Sequence, residues 1–541
     1  MQRPISKGRI VAENHQRNGI LCSGGGWRFS ASSSPFQCLV HFSLGAFGAL
    51  GFAPFDLCFP FLLSFGWLFA KIVAKETTPS ATVGRSFLFF LGLYVANLYW
   101  LAYPLTLDLA SRWILIPFAL IVIPALLSLF ALPAVFIGKK YCDGIPEAAL
   151  AFSSMFCIAI YFHGHYLPGF PWVLPGYIWS FHEIFLQTLG VWGIYGLSFV
   201  TVLLSCIGGG AYVHLKRLDL KNAGRFAAVA TGILLFLAIF GFFRLRCYET
   251  TFLDRRVRLV QCSLNHDEKA NRLLSFRNLQ RHIACSRHSA KLDFIIWPEA
   301  AIPYLYHEKF SQLHDFLKSP LKIGEHLIAG AVRRNLTTEE VYNSAIIVNH
   351  LGQNVRKYDK RRLVAFGEYI PLRNYIPFQS LRSIAGDVGD FQVGRLPQLI
   401  EVDGLRMLMA ICYEAAFPGE MNEKPADLIV NLTNDGWFGS TSEPFQHLQI
   451  VRARAVEMGL PLIRATNCGV SAVFDPCGRE IGRISFGKSG FLECRIPKTI
   501  DETPYGKLGD TLFFLMITAA LLYSLRRRFG KTLRILEFWK P

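Results

Sequence analysis

The sequence predicts two parts built for different solvents: a multi-pass α-helical membrane domain and, between its last two helices, a water-facing α/β domain. Three observations predict this. Hydrophobic residues make up 52% of the chain and charged residues only 18%, below the roughly 25% of an ordinary soluble domain. Long apolar runs crowd the positions before 245. From about 245 to 510 the pattern changes to short β-rich runs alternating with polar, helix-like stretches.

The apolar runs cover roughly 37–52, 57–74, 86–104, 113–138, 148–163, 192–214 and 226–243, with an eighth at 511–525. About 20 apolar residues, with a range near 17–25, cross the hydrocarbon layer, so the first, fifth and eighth runs are short. Pro54, Pro60 and Pro133 are tolerable near helix ends or where neighbouring helices cover the freed carbonyls.

Basic residues gather in alternate loops: Arg3, Lys7, Arg9 and Arg17, then Lys75 and Arg85, then Lys139 and Lys140. Lys216, Arg217, Lys221 and Arg225 follow, and finally Arg526, Arg527, Arg528 and Lys531. The opposite loops hold Arg112 and, across 164–191, neither Lys nor Arg. The positive-inside rule then puts both termini inside and 245–510 outside, with Arg244 and Arg246 against the trend. The expected division is a cytoplasmic segment 1–35, a membrane domain 36–244 with about seven helices, an outer domain 245–510, a last helix 511–525 and a basic cytoplasmic tail 526–541.

The net charge of +17 belongs to this topology rather than to nucleic-acid binding. Residues 1–35 are polar and basic without an apolar core, so they do not read as a cleaved signal peptide. The chain has thirteen Cys. Cys38, Cys58, Cys157 and Cys206 lie in apolar runs as small hydrophobes, and the spacings predict neither a zinc site nor a disulfide framework. In the 245–510 part, VRLVQ, LDFIIWPE, HLIAGAV, NSAIIVNH, LRMLMAIC, ADLIVNLTND and PLIRATN read as apolar strands buried on both faces.

Three strand ends carry chemistry. FIIWPEAAIP places Glu299 just after a buried strand. RKYDKRRLVAFGEYIP places Lys360 and Glu368 in a turn-rich stretch. LRMLMAICYEAAFP places Cys412 where a strand gives way to an expected helix, whose N-terminus can lower a thiol pKa. A carboxylate can take a thiol proton, and a lysine can stabilise the oxyanion formed on a carbonyl. Taken singly, each residue has a plainer role: Glu299 a cap, Lys360 a solvated charge, Glu368 a partner for Arg, Glu414 a first-turn charge, Cys412 one thiol of thirteen. Spacing alone does not bring them together.

WPE, then YDK with the Glu of FGE, then CYE, in that order, resembles the nitrilase or carbon–nitrogen hydrolase superfamily. NLTNDGWFG, PFQHLQIVRARAVEMGLPLIRATNCG and the membrane segment FPWVLPGYIWS narrow the resemblance to the apolipoprotein N-acyltransferase family. The resemblance implies a four-layer α-β-β-α sandwich in the periplasm of a bacterial inner (cytoplasmic) membrane protein. Glu299 matches the general base, Lys360 the oxyanion-stabilising lysine and Cys412 the nucleophile. Glu368 and Glu414 match supporting acids, and Tyr413 the residue beside the nucleophile. The implied partners are a phospholipid acyl donor, a diacylglyceryl-modified lipoprotein acceptor and the bilayer, with no cofactor, metal or nucleic acid.

The sequence departs from the family pattern at Ala365, in place of Pro, and at Gln261-Cys262-Ser263, in place of Gln-Gly-Asn. It also lacks a Trp expected soon afterwards on a loop that faces substrate in the family, which puts the family's substrate contacts in doubt here; if the loop still contacts substrate, changes at Cys262 or Ser263 alter substrate preference or apparent affinity. Cys468 replaces Asn or Thr and reads as a small packed residue. Trp172, Tyr177 and Trp179 read either as an aromatic belt at the outer interface or as the lining of a lipid entrance. Two rivals stand beside this reading: a membrane-tethered amidohydrolase that uses water as acceptor, and a non-catalytic transporter or receptor with an outer binding domain.

Overall fold

The structure, a computed structural model, describes residues 35–74, 78–108, 112–141, 144–166, 169–265, 268–269, 271–307, 309, 311–371, 373 and 389–537. The expected N-terminal segment 1–35, except Pro35, lies outside them, as do Lys75 and the last four residues of the expected tail.

Among the described residues, seven helices of 14 residues or more precede the sheets: α1 Pro35–Gly48, α2 Cys58–Ile72, α3 Pro79–Thr106, α4 Trp113–Lys140, α5 Ile145–His165, α6 Leu189–Lys216 and α7 Leu220–Cys247. The five from α3 to α7 are long and apolar enough to cross a membrane. The fifth apolar run, short in sequence, gains length because Ile145, Pro146, Glu147, Gly164 and His165 join its 21-residue helix. The first and second runs form helices of only 14 and 15 residues. Their short lengths are compensated by packing. A Cβ on Gly45 of α1 would fall 1.8 Å from the Phe89 carbonyl of α3, and one on Gly92 of α3 would fall 2.0 Å from that of Phe42. Only glycine allows this backbone-to-backbone approach, as in other tightly packed membrane helices.

Thirteen strands follow: β1 Phe252–Gln261, β2 Phe294–Ile296, β3 Ile302–Tyr306, β4 His326–Arg334, β5 Val341–Asn349, β6 Asn354–Asp359, β7 Leu399–Val402, β8 Leu405–Ile411, β9 Leu428–Thr433, β10 Leu462–Thr466, β11 Ser471–Phe474, β12 Glu480–Ile484 and β13 Gly490–Pro497. One sheet has the order β13-β1-β2-β4-β5-β6 with β3 also paired to β4, and the other β12-β11-β10-β9-β8-β7. Each has three parallel strands at its centre: β1, β2 and β4 in the first, β8, β9 and β10 in the second.

Side-chain alternation sorts these strands into layers. Val257, Leu259, Ile296 and Ile347 face Met407, Met409, Val430 and Ile463 between the sheets. The intervening residues Val260, Ile295, Leu327 and Ile346 pack outward on Leu279 and Ile283 of α8 (Ser275–Ser286) and on Leu313 and Leu317 of α9 (Ser311–Lys318). On the other side, Leu408, Ala410, Ile429 and Leu462 meet Leu448, Val451 and Ala455 of α10 (Glu443–Met458). The result is the expected four-layer α-β-β-α sandwich.

The last helix, α11, spans Thr511–Glu537. It is apolar only over Thr511–Arg526, a shorter apolar helix like α2. It continues past residue 525, where a tail was expected, because the charged residues that follow are good helix formers.

The membrane helices and the sandwich share one apolar cluster, in which Phe417, Ile450, Ala453 and Val456 pack with residues of α2, α5 and α6. Arg244, one of the two arginines against the charge trend, sits on this seam. Its guanidinium donates to the Gln187 Oε1 at 2.5 Å and to the Val456 carbonyl at 3.4 Å.

Candidate active site

The site lies where strand ends converge. Glu299 follows β2 through Trp297 and Pro298, and Lys360 follows the last residue of β6. Asn343 stands near the start of β5, beside the end of β6, and Cys412 directly follows β8. The turn carrying Glu299 rests on Gly330 of β4, whose N–H donates to the Pro298 carbonyl at 3.1 Å. A Cβ on Gly330 would approach the Glu299 Cα to 2.5 Å, so no other residue admits the turn. The Lys360 N–H donates to the Asn343 carbonyl at 2.8 Å, and its own carbonyl accepts from the Gly394 N–H at 2.8 Å.

Three of the expected residues meet directly. The Lys360 Nζ lies 3.0 Å from a Glu368 oxygen and 3.7 Å from a Glu299 oxygen. The Asn343 Nδ2 donates to those same two oxygens, at 2.7 Å each. Lys360 is only 1% exposed. Burial alone would depress its pKa, but Glu368 and Glu299 outweigh burial and raise it, so the ammonium persists. Burial pushes the Cys412 thiol well above its ordinary value, the Glu299 carboxylate adds to that, and Lys360 opposes it.

This corrects the expected thiol chemistry. The helix anticipated after Cys412 is a five-residue 3-10 turn, Cys412–Ala416, too short to build a useful dipole. A raised thiol pKa calls for a nearby base, and Glu299 is the carboxylate that acts most strongly on it.

Glu414 supports the turn. It accepts from the N–H groups of Ile411, Arg361 and Arg362 at 2.6, 2.7 and 3.2 Å and from the Tyr358 hydroxyl at 2.7 Å. Its pKa is nevertheless raised, chiefly by burial. Through one carboxylate, the Lys360 loop and the Cys412 turn are tied together. Tyr413 donates its hydroxyl to the Gly169 carbonyl at 2.8 Å, and burial raises that phenol.

Three non-glycine residues here adopt left-handed backbone: Ala300 (φ 48°), Phe366 (φ 62°) and Cys412 (φ 53°). Each is, or lies within two residues of, an expected site residue, and such strain, about 1–3 kcal/mol apiece, gathers at functional sites.

Sequence reasoning missed Asn343 and a buried ion cluster behind Cys412. The Cys412 carbonyl accepts from the His447 Nε2 at 3.3 Å. The His447 Nδ1 lies 3.4 Å from both Asp435 and Glu443, and Arg464 grips Asp435 at 2.8 and 3.0 Å. Asp435, Glu443 and His447 bring three potential metal-ligand atoms within 4.8 Å of one another. Arg464 already supplies the cluster's positive charge, so the group reads as an internal brace for the nucleophile turn. Asn343 lies in NSAIIVNH and His447 in PFQHLQI, and nothing in their spacing marked either polar residue.

The tryptophans correct the belt reading. Trp172, Tyr177 and Trp179 are all buried. Trp172 stacks on Tyr413 with centroids 6.2 Å apart and lies 5.4 Å from the His447 ring. The Trp172 and Trp100 Nε1 groups both donate to the Gln446 Oε1, at 2.8 and 3.1 Å. Cys262 is likewise buried, in the core under α8, which removes it as a substrate contact. Its neighbour Gln261 is locked by bonds to the Gly469, Ser485 and Lys488 carbonyls. Cys468, expected to be packed away, is partly exposed, and burial raises its thiol to about 11.

Comparison with known proteins gives two family matches: carbon-nitrogen hydrolase over residues 256–505 and apolipoprotein N-acyltransferase N-terminal domain over residues 44–207. An apolipoprotein N-acyltransferase of Bradyrhizobium diazoefficiens is 33% identical over 92% of this chain and 96% of its own length. One from Rickettsia prowazekii is 32% identical over 90% and 96%. Among solved structures, a CN-hydrolase superfamily protein from Xanthomonas campestris covers 45% of this chain and 91% of its own at 19% identity, with a TM-score of 0.34.

Proposed function

The chain belongs to the apolipoprotein N-acyltransferase family of membrane enzymes, and from that membership we propose that it transfers a fatty acyl chain from a membrane phospholipid to the N-terminal amine of a diacylglyceryl-cysteine on lipoproteins, through a thioester on Cys412. The membrane is the bacterial inner membrane, with the sandwich on its outer, periplasmic face, a reading that rests on the Lys/Arg asymmetry of the loops.

One observation carries the proposal. The Cys412 turn, tied to the Lys360 loop through Glu414, stands against the membrane half, with Tyr413 bonded to Gly169 and stacked on Trp172 in the segment between α5 and α6. Both substrates keep their tails in the bilayer, so the reacting sulfur must be reached from the membrane side.

In the first half-reaction Glu299 takes the Cys412 proton and the sulfur attacks the ester carbonyl. A C–S bond forms, with Lys360 holding the oxyanion. The ester C–O bond then breaks, and the departing lysophospholipid oxygen takes the proton from Glu299. In the second, the acceptor nitrogen attacks the thioester and its proton passes to Glu299. A C–N bond forms, the C–S bond breaks, and the proton returns to the Cys412 sulfur.

Incubation with phospholipid alone should leave an acyl group on Cys412 that mass spectrometry detects and hydroxylamine removes. A lipopeptide acceptor added afterwards should discharge it. Cys412→Ala should abolish both steps in a protein that still folds. Transfer without any acyl-enzyme, or turnover by Cys412→Ala, would refute the thioester route.

A further inference from the structure

We propose that Lys269 is a second cationic positioning residue of this site, clamping the turn that carries Glu299 and lending the site a positive charge that favours the Cys412 thiolate. The proposal rests on the reading of Cys412 as nucleophile.

The Lys269 Nζ donates to the Glu299 main-chain carbonyl at 3.1 Å. With the Asn434 amide turned so that its oxygen accepts from the Trp437 Nε1 at 3.2 Å, Lys269 lies 3.3 Å from that same oxygen. Both acceptors are neutral, so among the described residues the ammonium pairs with no carboxylate oxygen of its own, and its charge acts on what surrounds it. Those surroundings are Glu299, Cys468 and Cys412, with His282 on the α8 side. Cys412 itself faces Glu299, Lys360, Asp435 and Glu443, and His447 holds its carbonyl. Three carboxylates therefore bear on the sulfur, and each opposes a negative charge there. Lys360 is committed to two of the neighbouring oxygens by direct pairing, whereas Lys269 is not.

The lysine is also held in advance. Its N–H donates to the Asn265 carbonyl at 3.1 Å. The preceding residue, Glu268, is fixed by the Asn278 amide at 2.7 Å and by Arg277 and Arg281 at 3.2 Å each. A charge placed before the reaction begins costs no reorganisation when the sulfur ionises. Ala300, the residue after Glu299, is left-handed, and a cation on the Glu299 carbonyl is a direct way to hold that turn. Burial lowers the Lys269 pKa to about 8, against the pull of Glu299, Cys468 and Cys412, which leaves much of it charged at neutral pH.

The test uses the full-length protein in detergent without lipid substrate. Iodoacetamide modification of Cys412 is followed by peptide mass spectrometry from about pH 6 to about pH 10. Lys269→Met should slow modification about tenfold near pH 7, where Lys269 is charged, with the difference shrinking above about pH 8 as the parent's lysine gives up its proton, while Lys269→Arg should return the rate near pH 7 to within about threefold. A Lys269→Met profile that superimposes on the parent's would overturn the proposal, as would a loss that Arg fails to restore. Should Lys269→Met fail to fold, Lys269→Gln serves with the same readings. Because alkylation needs no phospholipid, a changed profile with no acyl-enzyme would sink the proposed function alone, and an acyl-enzyme with an unchanged profile would sink the role of Lys269 alone.

Discussion

Replacing Asn343 with Leu keeps the side chain's size and removes the one amide that bridges the two carboxylates. The structure sets the size of the effect. Two hydrogen bonds of 2.7 Å to charged oxygens disappear, each worth about 1.5–3 kcal/mol. Part of that is recovered, because the Lys360 Nζ remains 3.0 and 3.7 Å from the same oxygens. One bond's worth, about 1.5–3 kcal/mol, is then left uncompensated at Glu299, whose oxygen has the longer Lys360 contact. That energy converts to an acylation rate lower by about 10- to 100-fold. The assay is single-turnover formation of acyl-Cys412 from labelled phospholipid, with melting in detergent as the control for folding. Acylation within about threefold of the parent in a folded Asn343→Leu protein, well short of that loss, would refute the idea that Asn343 orients Glu299.

Three further outcomes follow from the same geometry. Gln446→Leu strands the Trp100 and Trp172 N–H groups in a buried place at about 1–3 kcal/mol each, so it should lower the melting temperature and shift tryptophan emission; unchanged melting would count against it. His447→Leu removes the donor that steadies the Cys412 carbonyl, and with it part of the support for a left-handed residue that costs about 1–3 kcal/mol; acyl-enzyme formation should slow, while equal rates would show that the turn holds itself. The pH dependence has a definite sign: a thiol pKa raised by burial means scarce thiolate at neutral pH, so the rate of Cys412 alkylation should keep climbing beyond about pH 9, past the ordinary thiol value of about 8.5. A plateau below pH 8 would contradict the burial argument.

Much of the site was legible because its residues follow strands whose apolar runs are plain in the sequence. FIIWPE, KYDK and AICYE each announce a buried strand and then a polar residue, so Glu299, Lys360 and Cys412 could be read from them as candidates. Asn343 and Lys269 were not legible, because the partners that define them come from other strands and loops. Gln446 is the extreme case: its partner Trp100 lies 346 residues away, and no periodicity joins them. The tryptophans misled for a related reason. A Trp beside an apolar run looks the same in sequence whether its N–H meets lipid headgroups or a buried amide. The shorter helices α1, α2 and α11 were predicted as spans by their apolarity, and what holds α1 is a glycine contact that composition does not reveal.

The shared cluster on the seam bears on how this protein can be taken apart. Phe417, Ile450, Ala453 and Val456 belong to the sandwich in sequence, yet they are buried against helices of the membrane half. A fragment expressed from about residue 245 to 510 would present that apolar face to water, with the Tyr413 hydroxyl and the Gln446 oxygen stripped of their partners Gly169, Trp100 and Trp172. Such a piece invites aggregation, and any activity measured on it would report a nucleophile turn that has lost its neighbours. For dissection, purification or transplantation, the two halves form one indivisible object.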